Sequence, residues 1–398
     1  MLGEAVLRTV AANRRWLARA ASAFLLAAAV PAWAATIVVR PGDSIRAALA
    51  RASPGDRIEV LPGTYREGAP GDLNALTVTL DGIALVGRSS PGHPVVLENA
   101  GGQSFGIWVS PTDSAGAAAE ADDEHPPCGL VGTALHGFSI SGFTVRGFAA
   151  HGVHLACVDG FSIVGNEAQG SGVYGLFPVV SRNGLIARNV VTGTVTDAGI
   201  YVGQSDRVLV ASNVATDNEL GIEIENSRNC AAIGNRVFGN TLGLFVDILP
   251  FLERTTQEAT LVAGNSVRDN NRANTASPED ILGVLPPGLG ILVAGGRGTT
   301  VAGNEVTGNG FAGIAVVSLC LGLALQGQPC DGLDVDPDPV GDRVLGNQVL
   351  GNAAAAASLP PPFDALAADL VWDGSGAENC WSGNRFTTSV PPQLPACR

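Results

Sequence analysis

Carboxylates, imidazoles and phenols recur in this chain at one interval. Seven times after residue 150 a Gly is followed by two apolar residues flanking a variable one, at Gly152, Gly175, Gly199, Gly221, Gly243, Gly290 and Gly313. The variable position reads His154, Phe177, Tyr201, Glu223, Phe245, Leu292 and Ala315. His151 and Tyr174 stand just before the Gly, Asp197 and Glu219 one residue earlier, and Glu225 and Asp247 just beyond the unit. Aromatic residues make up 5% of the chain, yet two of its three tyrosines fall in this group. Aromatic faces stack on the C–H faces of sugar rings, and carboxylates beside them bind hydroxyls or move protons. Glu223, Asp197 and Glu225 are therefore the acid/base candidates, with Tyr201 as a stacking or proton-transfer group. His154, Tyr174, Phe177, Tyr201, Phe245 and Asp247 are the ligand-contact candidates. An aromatic ladder that only stabilises stacked strands, or one covered by an insertion, is the structural alternative.

Other chemistry is more sparsely encoded. His151 and His154 are three apart in a strand and should face opposite ways unless the chain bends, which weighs against a metal site using both. Asp334, Asp336 and Asp338 alternate in a loop and suit a hard cation such as Ca²⁺. The EF-hand pattern fails there, with Pro339 in place of its Gly and Leu345 in place of its bidentate Glu. No nucleophile elbow, P-loop, HExxH or dinucleotide fingerprint is present.

The elements that must position these residues follow from the period itself. Steps of 22 to 24 residues, with one of 47, mean stacked repeats. Asn pairs five apart keep the same beat, at Asn213/Asn218, Asn235/Asn240, Asn265/Asn270, Asn304/Asn309 and Asn347/Asn352, with single copies at Asn166 and Asn189. Short alternating segments punctuated by Gly and Asn make each repeat one coil of three strands, so the expected fold is an all-β, single-stranded parallel β-helix, a solenoid. An Asn repeated at one place can occupy a left-handed turn and bond its equivalents above and below. Coils lie ~4.8 Å apart, so the variable positions form one column pointing away from the core, toward solvent. Pro41-Gly-Asp-Ser-Ile45 leads into a short helix, capped by Ser44 or Asp43, that should plug the open N-terminal end. Insertions are expected at 110–131, 250–257, 272–288, 318–341 and 352–371, several close enough to form a lid. The β-helix should run from 35 to 385, with 386–398 as a tail packed on the last coil.

Residues 1–34 read as a signal peptide, with Arg14, Arg15 and Arg19 before an apolar run and Ala32-Trp33-Ala34 as the cleavage site. The expected location is periplasmic or secreted, with no membrane span in the mature chain. Net charge is −14, and every basic residue outside histidine is arginine; nucleic acid is a poor partner for such a surface. Seven cysteines in an exported chain invite disulfides. Proximity suggests Cys320 with Cys330, Cys380 with Cys397 and Cys128 with Cys157, leaving Cys230 as a core residue, though connectivity stays open.

Pro41-Gly-Asp-Ser-Ile45, Pro54-Gly-Asp56 and Pro62-Gly-Thr-Tyr65, joined to the Asn/Gly coils, resemble the pectin-lyase-like superfamily of exported right-handed β-helices. Val173–Val179, Asp197–Ser205 and Gly221–Ser227 resemble a bacterial family of parallel β-helix repeat proteins without an assigned activity. That resemblance implies an exported cytochrome-like partner, because members tend to be encoded beside one. Mannuronan epimerases carry Tyr-Gly-x-Asp-Pro-His-Asp on such a strand; here Tyr174, Gly175 and Pro178 match, while Phe177, Val179 and Val180 replace the acidic and histidine positions, which argues against epimerase chemistry. The leading functional expectation is an exported scaffold whose aromatic/acidic strip binds a glycan or a partner protein. The alternatives are a polysaccharide lyase or glycoside hydrolase using the same strip, and a periplasmic accessory protein for metal or redox assembly, as the superfamily's copper-maturation relatives imply.

Overall fold

The computed structural model describes residues 35–69, 71–111 and 134–398. Their strands form three wholly parallel sheets of twelve, eleven and ten strands, here called A, C and B, and successive coils add one strand to each. Like stacks on like: the inward column of sheet A runs Ile58, Leu85, Ile140, Ile163, Ile186, Val210, Ala232, Val262, Val301, Val344 and Trp381. Each Ile, Leu or Val in this column, buried between its equivalents above and below, contributes about 1.5–3 kcal/mol.

Two Asn ladders hold the register. In the first, Asn213 donates its N–H and Nδ2 to Asn235 Oδ1 at 2.9 and 3.0 Å, and Nδ2 also donates to the Ile186 carbonyl at 2.9 Å. The same pattern links Asn166, Asn189, Asn213, Asn235, Asn265, Asn304, Asn347 and Asn384. The second ladder joins Asn218, Asn240, Asn270, Asn309 and Asn352. The asparagines themselves are not left-handed, as the repeat suggested. The residue before each one takes that conformation, including Gly234, Ser212 and Arg188 in the first ladder and Gly239 and Asp217 in the second. The turn thus frees the amide to point inward, where both ends of it are used.

The Gly that opens each sheet C strand is required by contact. A Cβ on Gly221 would lie 2.4 Å from Val237 Cγ1, 2.6 Å from the Gly243 carbonyl and 3.0 Å from Asn240 Nδ2. Any side chain would therefore drive sheet C away from the Asn ladder.

The N-terminal plug is α1 (Ile45–Leu49), capped by Ser44, whose Oγ accepts from the Ala47 N–H at 3.1 Å. Its Ile45 and Ala48 are buried in the core. Residues 386–398 do more than pack as a tail: Ser389–Val390 pair with Ala368–Trp372 as the last strand of sheet C, and Cys380–Cys397 closes the end. Cys320–Cys330 is also formed, and Cys157 is disulfide-bonded, while its expected partner Cys128 lies outside the described residues. Cys230 is free and buried. The expected signal peptide also lies outside the described residues, and among those described no helix is long and apolar enough to cross a membrane.

Candidate functional site

The outer face of sheet C does not meet solvent. Phe177, Tyr201, Glu223 and Phe245 are no more than 5% exposed, and His154 is 1% exposed. The expected solvent-facing strip is corrected to a second, buried layer. Its apolar part joins Tyr174, Phe177, Tyr201, Phe245, Leu292 and Ala315 to side chains from the insertions. These insertions carry a 3₁₀ turn (Leu282–Val284), α2 (Leu319–Leu325) and α3 (Phe363–Leu366). Between Phe245, Leu292, Phe311, Ala315, Leu321 and Phe363 remains an apolar cavity of about 50 Å³, too small for a sugar ring. The Phe245–Ala315 end of the column is accordingly a packing surface.

Glu219 fixes one part of the cover. Its Oε2 accepts from Thr275 N–H and Oγ1 at 2.9 and 2.7 Å and from Thr241 Oγ1 at 3.0 Å. Thr275 Oγ1 is also 2.6 Å from the Val195 carbonyl. This carboxylate is a clamp for the 272–288 segment.

The polar residues concentrate one step away. Asp197 is hydrogen-bonded to Tyr174 and Glu223; burial pushes its carboxyl up to about 7, with those bonds pulling the other way and the charge of Asp280 adding to the rise. Two carboxyl groups in hydrogen-bonding contact share a proton. Tyr201 Oη donates to Glu225 Oε1 at 2.7 Å. Register sets Glu223 beside Tyr201 and Phe245, and Glu225 beside Asp247. Glu223, Glu225 and Asp247 bring ligand atoms within 4.8 Å of one another, the one such convergent group of three among the described residues. Its all-oxygen donors fit a hard cation. Asp334, Asp336 and Asp338, expected to do this, do not converge. Asp334 Oδ1 accepts from the Phe251 N–H at 2.8 Å and Asp336 faces Arg297 at 3.7 Å, so this loop is held by local bonds.

At the N-terminal end of the column lies an aromatic group. His151 Nδ1 and His154 Nδ1 are 2.9 Å apart, so the two rings share a side, contrary to strict alternation. The chain bends at Gly152, which lets the residue before the Gly and the second residue after it both face outward. The same bend puts Tyr174 beside Phe177, with ring centroids 4.4 Å apart. His154 stacks on Trp108 at 4.1 Å, and burial, aided by the neighbouring His151, holds its imidazole well below the ordinary range. Trp108 was not anticipated, although Gly106-Ile-Trp-Val109 is an eighth copy of the Gly-led unit.

These coils define a right-handed parallel β-helix, and comparison with known proteins agrees on that fold. A family model described as right handed beta helix region matches residues 151–326. By structure the chain is similar to the Azotobacter vinelandii mannuronan C-5 epimerase AlgE4 A-module, with TM-score 0.60, 18% identity, and 86% of this chain and 81% of that one covered. The AlgE6 A-module of Azotobacter vinelandii gives 0.62 and 19%, covering 85% and 80%. The periplasmic alginate epimerase AlgG gives 0.51 and 15%, covering 89% and 77%. At these identities the likeness shows the fold. No curated protein matches the sequence.

Proposed function

We propose that this is an exported, carbohydrate-directed β-helix protein whose chemistry is centred on Asp197, Glu223 and Glu225. The observation that carries the reading is the Asp197–Glu223 carboxyl pair, in which burial raises Asp197 to about 7 and the Tyr174 side chain bonds to Asp197, while the neighbouring Tyr201 hydroxyl donates to Glu225. Groups that titrate near the working pH are the ones suited to move protons. The structurally similar epimerases, which act on mannuronan or alginate by their names, support a polysaccharide as the substrate class. Direct contact within the pair leaves no room for a sugar between its members, whereas hydrolases place their two carboxyls about 5 Å or more apart. The pair therefore favours a lyase-type proton transfer over hydrolysis. Glu223, Glu225 and Asp247 are the residues that would hold Ca²⁺ or a similar ion, which would offset their mutual repulsion and attract an acidic sugar. In such an elimination Tyr201 would take the ring C5 proton while passing its own phenolic proton to Glu225, the Asp197–Glu223 proton would go to the departing O4, and the C4–O4 bond would break as the C4=C5 double bond forms.

The burial of the strip favours a second reading, a scaffold that binds glycan or partner without turning it over. The formed disulfides support an oxidising location, periplasmic or secreted. Incubation with a panel of neutral and uronic polysaccharides, with and without Ca²⁺, tests both readings through retention and new unsaturated or reducing ends. The enzyme reading expects products that fall at least about a hundredfold in Glu223→Gln, with circular dichroism unchanged. Retention without products leaves the scaffold, and neither retention nor products refutes a carbohydrate role.

A further inference from the structure

Two aspartates near the C-terminal end stand in ladder positions otherwise held by amides or hydroxyls, and their surroundings treat them differently. Asp369 continues the second Asn ladder. Its Oδ1 accepts from the N–H and Nδ2 of Asn352 at 3.1 and 3.0 Å, and its Oδ2 accepts from the N–H groups of Thr387 and Thr388 at 2.8 and 3.2 Å. Both oxygens meet N–H donors.

Asp342 belongs to a different column, Thr299–Asp342–Asn379, at the entry to sheet A. Its Oδ1 accepts from the Thr299 N–H at 2.7 Å, and its own N–H donates to Asn379 Oδ1 at 2.9 Å. Asn379 shows what the second side-chain atom does at this place: its Nδ2 donates to the Pro339 carbonyl at 2.9 Å. The bridges Arg297 to Val340 and Val340 to Ala377 put the Gly296 carbonyl one coil back, where Pro339 stands for Asn379. At the Asn379 step this place holds a donor, whereas the Thr299 hydroxyl one coil back is buried without a partner among the described residues. Asp342 Oδ2 is buried without a hydrogen-bond partner among the described residues, and a carboxyl can donate there only in its acid form. No counter-charge among the described residues replaces the proton. The charged residues on the adjoining segments are Arg297, Arg343 and Glu378, all exposed, and the half-buried Asp338, with Arg297 facing Asp336 across 3.7 Å.

We propose that Asp342 is a proton-held latch, an acid that substitutes for an amide in the ladder and locks the last coils of the helix only while it keeps its proton. Burial raises this carboxyl to about 7, outweighing the N–H groups of Thr299 and Gly298 that favour the charged form. The folded value lies above the unfolded one, so the contribution is full below about pH 4, falls as pH rises toward 7, and stays lost above it.

Hydrogen exchange of the full chain between pH 4 and 8.5, corrected for intrinsic rates, tests this in peptides covering 340–350 and 377–385. Wild-type protection there should fall by as much as about tenfold per pH unit between 4 and 7 and then level. Asp342→Asn should remove that fall and exceed wild type at least about tenfold at pH 8, while Asp369→Asn leaves the slope in place. Asp342→Thr, which copies Thr299, supplies a second side chain that carries no charge should the amide fail to fold, and should flatten the profile likewise. A wild-type slope retained in a folded neutral variant, or lower protection than wild type at pH 8, would overturn the proposal.

Discussion

A carboxylic acid walled off from water holds its proton until the pH reaches its raised pKa, and Asp197 does so at about 7 because burial outweighs its bonds to Tyr174 and Glu223. Its folded value exceeds the unfolded one, so wild-type stability should decline from about pH 4 to 7, by up to about 1.4 kcal/mol for each step of one pH unit. Asp197→Asn should flatten that part of the decline in urea midpoints measured at pH 5 and 8. An unchanged difference between the two midpoints would mean that Asp197 is already ionised in the fold. Asp197, Glu223 and Glu225 were legible in the sequence because the Gly-led period assigns each a place on one face. The partnership of Asp197 with Glu223 was not, since it joins neighbouring coils through a bend at the Gly. The same bend explains why His151 and His154 meet although alternation separates them. Trp108 was missed for a simpler reason: its copy of the unit lies before the loop that interrupts the beat.

The ladders and the Gly corners carry predictions at the level of the coil. The Asn240 side chain makes four hydrogen bonds from a fully buried site, accepting two from Asn218 and donating to Asn270 and the Ala215 carbonyl. Asn240→Ala should cost about 2–4 kcal/mol in chemical denaturation, because its partners are left buried and unsatisfied. Gly221→Ala should cost at least about 1–3 kcal/mol, since its Cβ would meet Val237 at 2.4 Å. A loss below about 0.5 kcal/mol in either variant would contradict the packing described. The spacing of these Asn and Gly residues made the coils readable. Which residue turns left-handed was not readable, because Gly, Ser, Arg and Asp all serve at that place. The sequence offered a lid of insertions, and a ladder covered by one of them, but not where the cover would seat. Its seating on sheet C depends on contacts between segments distant in sequence, such as Thr275 with Glu219. Thr275→Val should speed hydrogen exchange in 272–288 while leaving the strands beneath it protected, and equal rates would show that other contacts hold the segment.

Across the whole molecule, one sheet of a parallel β-helix has become the floor of a second core, and its acidic centre is enclosed along with it. The expected export signal, the composition and the cysteines pointed to a molecule built for an oxidising space, and the two described disulfide pairings match their proximity in sequence. Cys397→Ser should cost about 3 kcal/mol, as expected for opening a loop of this length, with the loss confined to the last coils. Cys230, whose thiol burial pushes up to about 12, should ignore thiol reagents until the chain unfolds. The proposed chemistry depends most on a proton held near neutrality between Asp197 and Glu223. Carboxyl titration by infrared difference spectroscopy on wild type, Asp197→Asn and Glu223→Gln measures it directly. A carboxylic acid band that persists to about pH 7, disappears in Asp197→Asn and shifts in Glu223→Gln is the predicted result. A wild-type spectrum in which no acid band lost in Asp197→Asn survives above pH 5 would contradict it.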